Sequence, residues 1–241
     1  ALFKQRVALS WLALSSLLIA TNWLIFIWAV GQQRVMEASL GYFLTPLVSL
    51  VLARIFLKEK LHFWQAAAGW LAGIAVAWEL VSLGSLPWIP LSLALTFGFY
   101  GLVRKQHPVD ALHGLTAETL WMLPLAFLWL GWAFISQAPV GYGSSWQISL
   151  LLMASGIMTA APLLLFAAAA QRLDLSVVGF IMYINPTMQF ISAVVILKED
   201  YPPERLITFA LIWAAMLLFM WGLWQARRLL KQQRLAEQQT N

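Results

Sequence analysis

The sequence predicts an all-α polytopic membrane protein, and three observations carry the prediction. The chain is 61% hydrophobic and 10% charged over 241 residues, whereas soluble domains are about 25% charged. Its apolar residues gather into eight runs separated by short connections, and a helix crossing a bilayer needs about 20 such residues. An internal repeat at an offset of 140 residues relates two parts of the chain. The 15 basic and 10 acidic side chains are too few to clothe a water-soluble exterior of this length. No run alternates with period two over a whole span, which argues against a β-barrel.

The runs fall at 7–30, 38–57, 63–81, 86–103, 115–135, 147–170, 176–197 and 206–226. The first, VALSWLALSSLLIATNWLIFIWAV, holds 24 residues without a charge, long enough to cross at about 1.5 Å per residue. The third and sixth contain the small-residue stretches AAAGWLAGIA (66–75) and FAAAAQ (166–171), which let helices approach closely. The fourth is short and opens with Pro87 and Pro90, tolerated in a first turn whose N–H groups have no helical partner. Connections are mostly of 5–12 residues, too short for a soluble domain. The first span has no small-residue cleavage site and is followed by seven similar ones, so it does not read as a signal peptide.

Basic residues set the orientation. Lys4, Arg6, Lys58, Lys60, Arg104, Lys105, Arg172, Arg227, Arg228, Lys231 and Arg234 fall on one side of an eight-span chain, and Arg34, Lys198 and Arg205 on the other. Arg54 sits within the end of the second span, where it can snorkel. The richer side is expected to be cytoplasmic, with both ends of the chain there. The net charge of +5 therefore reads as membrane orientation, not as a nucleic-acid surface. There is no cysteine, so disulfides and thiolate chemistry are excluded. His62, His107 and His113 lie near connections without metal-ligand spacing, and no metal or cofactor is expected. The expected partners are the lipid bilayer and a small-molecule substrate. A monomer would suffice, with a homodimer as the alternative.

The repeat places GYFLTP (41–46) on IMYINP (181–186), Pro46 on Pro186, and Lys58-Glu59 on Lys198-Glu199. The first three spans then match the last three, with two spans between. A repeat unit of five helices is odd, so its copies lie inverted in the membrane. The expected organisation is an incomplete first repeat (1–81), a second repeat (82–226) and a basic cytoplasmic tail (227–241). Eight helices are thus present of an expected ten. The chain also begins at Ala1 rather than Met, and the reading is a piece of a ten-helix protein of about 300 residues. A natural eight-helix protein is the alternative. Inverted repeats recur in secondary transporters, which bind substrate near mid-membrane between the halves.

Several segments also carry a family resemblance. NWLIFIWAV (22–30), EASLGYFLTPLVSLVLARIFLKEKL (37–61), GFYGLVRK (98–105), ETLWMLPLA (118–126) and YINPTMQF (183–190) resemble the drug/metabolite transporter superfamily and, within it, the EamA-type permeases. The resemblance covers the whole chain. It implies an inner-membrane protein of ten helices in two EamA units, with both termini cytoplasmic. Against that pattern this chain lacks the first two helices, which adjoin the expected transport path.

Polar groups within hydrocarbon cost several kcal/mol unless satisfied, so they face the bundle interior or a wet cavity. Glu118, about one turn into the fifth span, reads either as an interfacial anchor or as a substrate- or proton-linked group. Glu79 reads as interfacial. Asn22 sits mid-span beside Trp23 and one turn before Phe26, and serves as helix-packing glue or cavity lining. Its repeat partner is Pro162, so this position differs between the halves. Tyr42 and Thr45 precede Pro46, as Tyr183 and Asn185 precede Pro186. A proline inside a span frees a carbonyl and kinks the helix, so Pro46 and Pro186 are expected to be matched hinges. Asn185 and Gln189 share one helical face, and Tyr100 is a further lining candidate. Trp23 and Trp121 neighbour these polar positions and are expected in an aromatic-lined cavity suited to an aromatic or amphipathic solute. Trp11, Trp64, Trp88, Trp146, Trp213 and Trp224 are assigned to the interface belt or the lipid face.

The expected function is secondary transport of small organic metabolites or drugs by alternating access. No Walker A motif supplies an ATP-driven engine within this chain. An intramembrane enzyme is the alternative, and it would need a nucleophile–base or carboxylate–histidine arrangement at depth. A channel would favour rings of like groups, which an internal inverted repeat does not supply.

Overall fold

The computed structural model describes residues 6–32, 34–82, 88–136, 143–191 and 203–240. All regular elements among them are helices: α1 (Arg6–Gly31), α2 (Val35–Phe56), α3 (Phe63–Ser82), α4 (Trp88–Gln106), α5 (Ala111–Ile135), α6 (Trp146–Arg172), α7 (Leu175–Ile181), α8 (Ile184–Ile191) and α9 (Pro203–Thr240). The side chains of Glu79, Pro186 and Gln189, and the whole of Lys198-Glu199, lie outside the described residues.

Local sequence explains where the helices begin. Asp110 caps α5 by accepting from the His113 N–H, and Ser145 caps α6 by accepting from the Ile148 N–H. At α3 the Gln65 side chain reaches back to the His62 N–H at 2.7 Å, the second half of a capping box. At α2, Arg34 holds Glu37 through two bonds of 2.6 and 2.9 Å, a forked ion pair one turn into the helix.

Among the described residues three segments are long and apolar enough to cross a membrane: Ser10–Gly31, Ala111–Ile135 and Trp146–Arg172. The outer faces of α5 and α6 are apolar and bare, with Leu128 71%, Ile135 84% and Met158 76% exposed. Such a continuous apolar surface would be unstable in water but suits lipid tails. The fold is that of an all-helical membrane protein.

The core forms where α2, α3, α7 and α9 meet. Phe43, Leu44 and Leu50 pack with Ala68, Ala72, Ala75, Phe180, Ile212, Ala215 and Phe219, and the Phe180 and Phe219 rings stack at 3.8 Å. The alanine row of α3 lets α9 come close, as the small-residue stretch predicts. α2 and α7, which the repeat pairs, run antiparallel. Gly179 lies against Pro46 and Ser49, where an added Cβ would sit 2.9 Å from the Ser49 Cβ. Leu175 clusters with Leu52 and Ala53 further along α2, and Glu59 beyond α2 reaches the first amides of α7.

One expectation needs correction. The span at 176–197 is not one helix: α7 stops at Ile181 and α8 starts at Ile184. The break follows from Pro186, whose nitrogen has no hydrogen to give the Met182 carbonyl four residues earlier. A tightened turn satisfies that carbonyl instead, through Asn185 N–H at 3.0 Å, with a similar short-range bond from Tyr183 N–H to Phe180 O at 3.2 Å. α2, by contrast, runs as continuous helix through Pro46. There the Thr45 hydroxyl donates to the Gly41 carbonyl at 2.7 Å, and tight packing around a fully buried Pro46 holds the helix together. Beyond residue 226, where a basic tail is expected, α9 continues as helix to Thr240.

Candidate functional site

A cavity of about 160 Å³ opens where α1, α2, α4 and the α7–α8 turn converge. Asn22 and Phe26 line it from α1, Ala38, Gly41, Tyr42 and Thr45 from α2, Leu93 and Phe97 from α4, and Met182 and Asn185 from the turn and α8. Asn22 fixes one wall by donating both amide hydrogens to α4, to the Leu93 carbonyl and the Thr96 hydroxyl, each at 2.8 Å. Its carbonyl oxygen remains available to accept a bond from a solute. Phe26 meets the edge of the Tyr42 ring at 6.3 Å, so aromatic faces border the polar groups. The described lining carries amide, hydroxyl and aromatic groups and no carboxylate, ammonium or guanidinium. That chemistry fits a solute with a planar or apolar part and hydrogen-bonding groups.

Behind Phe97 lies a buried polar cluster. Glu118 on α5 is only 2% exposed. Its Oε1 accepts from Ser15 at 2.6 Å, its Oε2 from Tyr100 at 3.4 Å, and its backbone carbonyl from Ser16 at 2.7 Å. Arg104, 1% exposed, brings Nη1 within 3.7 Å of Oε1. That distance is an ion pair, not a hydrogen bond, and the guanidinium nitrogens have no acceptor among the described residues. Gly114 leaves room for this guanidinium, since a Cβ there would overlap it. Tyr100 joins the cluster to the cavity wall, with Phe97 at 5.9 Å and Phe166 stacked at 5.8 Å.

The structure brings Asn22, Phe26, Tyr42, Thr45 and Asn185 into one cavity and separates from it the other candidates whose side chains are described. Glu118 lies two turns into α5, which begins at Ala111, and is buried between helices. Tyr100 belongs to the Glu118 cluster. Tyr183 is fully buried in the core against Phe180 at 5.6 Å, away from the cavity. Trp23 touches Phe26 edge-on at 6.2 Å but stands outside the lining. Trp121 is 43% exposed; it is three residues beyond Glu118, about 60° round the helix, and α5 packs through too narrow a strip to cover it.

Sequence reasoning missed Ser15, Ser16, Arg104 and Phe97. A Ser-Ser pair within an apolar span was the available signal for the first two. Arg104 stands four residues after Tyr100 and so on the same helical face, yet it reads as one more loop charge. The histidines are separate: His107 stacks on Trp11 at 4.0 Å, His113 bonds Asp110 at 2.9 Å, and His62 starts α3. Among the described residues no three His, Cys, Asp or Glu side chains group to hold a metal ion. Among the belt tryptophans, Trp88 lies near Trp28 at 5.4 Å under Arg34, and Trp224 carries Arg228 at 3.9 Å. Trp146 is exposed, Trp64 packs on Phe63, and Trp213 donates to Thr187 at 3.0 Å.

An apolar helical bundle enclosing a small cavity and a buried polar cluster defines a membrane protein with an internal polar site. No protein-family model matches the chain, but its relatives are informative. It is 47% identical over 210 residues to protein RarD of Escherichia coli strain K12, covering 87% of this chain and 71% of that protein. It is 43% identical over 223 residues to an uncharacterized transporter of Pseudomonas aeruginosa, covering 92% and 74%. A chloramphenicol-sensitive protein RarD of the same organism is 34% identical over 233 residues, covering 97% and 77%. The chain belongs to the RarD family of membrane transporters.

Proposed function

We propose that this chain works as a secondary transporter, moving small organic solutes across the bacterial inner membrane by alternating access between two inverted halves. One half contains α1–α3 and the other α4–α9, with both chain ends cytoplasmic. The observation that carries the reading is the cavity itself, because its lining comes from both halves: Asn22, Phe26, Tyr42 and Thr45 from one, Phe97, Met182 and Asn185 from the other. A helix interrupted at the binding site, as α7–α8 is at Met182, is a recurring feature of such transporters. The interruption supplies one hinge, at the end of α7.

The test is solute flux into proteoliposomes, using a panel of neutral, cationic and anionic small molecules. Chloramphenicol belongs in the panel because a relative's name ties that protein to sensitivity to it. N22A and E118Q are expected to change flux of the transported solute several-fold, and E79Q to leave it near the parent rate. Unchanged flux in all three would overturn the site assignment. Repeating the assay under a pH gradient distinguishes proton-coupled transport from facilitated exchange.

A further inference from the structure

We propose that Glu59 is a positioning residue for transport, a clamp that holds the cavity closed toward the end of the bundle carrying Lys58, Lys60 and Lys105. The inference rests on the alternating-access reading and adds a gate to it. Glu59 lies in the connection between α2 and α3, in one half of the molecule. Its carboxylate crosses to the other half and accepts three bonds at the start of α7: from the Leu175 N–H at 2.8 Å, the Ser176 N–H at 3.3 Å and the Ser176 hydroxyl at 2.7 Å. Asp174 occupies the capping position of α7, but its own side chain makes no cap bond. The helix therefore takes its anionic cap from across the interface.

Local structure aims the carboxylate. Lys58 adopts a left-handed backbone, φ 54°, which turns the chain sharply at the end of α2. Arg54 then donates to the Glu59 carbonyl at 3.2 Å. Lys105 adds a second tie at the same end, from Nζ to the Leu173 carbonyl at 2.6 Å. Between this end and the cavity, α2 and α7 touch backbone to backbone, with Gly179 against Pro46 and Ser49, and Ser49 is buried. α7 is seven residues long and ends at the broken turn, so it can swing as a unit. Releasing the Glu59 bonds frees its start, lifts Gly179 from Ser49 and opens the cavity toward this end.

The chain has no cysteine, so single thiols can report both sides of the gate. Ser49→Cys lies behind the clamp, and Ala38→Cys lies in the cavity wall nearer the opposite end. In purified protein, each is reacted with a water-soluble maleimide in the parent, E59Q and S176A backgrounds, with gel-filtration elution as the check on folding. Bonds to a charged acceptor are strong enough that losing the carboxylate is expected to raise Ser49→Cys labelling roughly tenfold, while Ala38→Cys labelling falls. S176A removes one donor and is expected to shift both rates in the same directions by less. It carries the test alone if E59Q does not elute as folded protein. Labelling that rises at both thiols shows general loosening and overturns the proposal, as does no change at either. No solute is present in this measurement, so its outcome is independent of whether a transported solute is found.

Discussion

Replacing Glu118 by Gln tests the buried cluster most directly. At the observed 3.7 Å separation from Arg104, two unit charges attract by about 4 kcal/mol at an effective dielectric of about 20. The bond from Ser15 at 2.6 Å is charge-assisted and contributes about 1.5–3 kcal/mol. The bond from Tyr100 at 3.4 Å is too long to matter much. Gln keeps an acceptor for Ser15, so the loss is dominated by Arg104, left buried without a counter-charge. Stranding a buried charge costs about 3–5 kcal/mol, and E118Q is expected to destabilise the protein by that amount. S15A should cost less, about 1.5–3 kcal/mol. The double variant R104M/E118L removes both charges and should fall within about 1 kcal/mol of the parent or exceed it. Reversible unfolding in mixed detergent micelles, followed by tryptophan fluorescence, measures all three. E118Q within about 0.5 kcal/mol of the parent would show that Glu118 does not compensate Arg104, and the reasoning would fail.

Two other predictions concern packing and capping. Gly179→Ala pushes a methyl against Ser49 and the Pro46 carbonyl and is expected to destabilise by about 1–3 kcal/mol, read in the same unfolding assay; a neutral or stabilising result would refute the close approach. At the exposed start of α5, the hydrogen bond from the His113 side chain, with help from its N–H, holds the Asp110 carboxyl below the usual aspartate range. The native form is thus the more acidic, so the cap's contribution is complete above the unfolded aspartate range and fades as pH falls through the lower native value. Hydrogen exchange at the His113 amide should accelerate beyond its intrinsic rate in that acid window, whereas D110A should show an unprotected first turn at every pH.

Much was legible in the sequence. Apolar runs and sparse charge fix the solvent, because an uninterrupted apolar segment can satisfy its backbone only as a helix in lipid. The boundaries of the first and third helices came within a residue or so of the runs, since polar and charged residues punctuate them locally. The repeat at 140 residues drew attention to α2 and α7 as a pair. Asn22, Tyr42, Thr45 and Asn185 stood out as polar groups at depth, and they share one cavity.

Tertiary structure alone decided the rest. Two segments with equivalent prolines differ, α2 continuing through a fully buried Pro46 while α7 stops before Pro186, and no local pattern encodes that difference. Arg104 and Lys105 are neighbours in sequence, yet one is buried beside Glu118 and the other ties down a distant connection. Their fates depend on which elements lie opposite, a long-range property invisible to periodicity. Glu59 is the clearest case: the sequence marks it only as half of a repeated Lys-Glu pair, and its meaning comes from the helix end that folding places before it, 116 residues further along the chain.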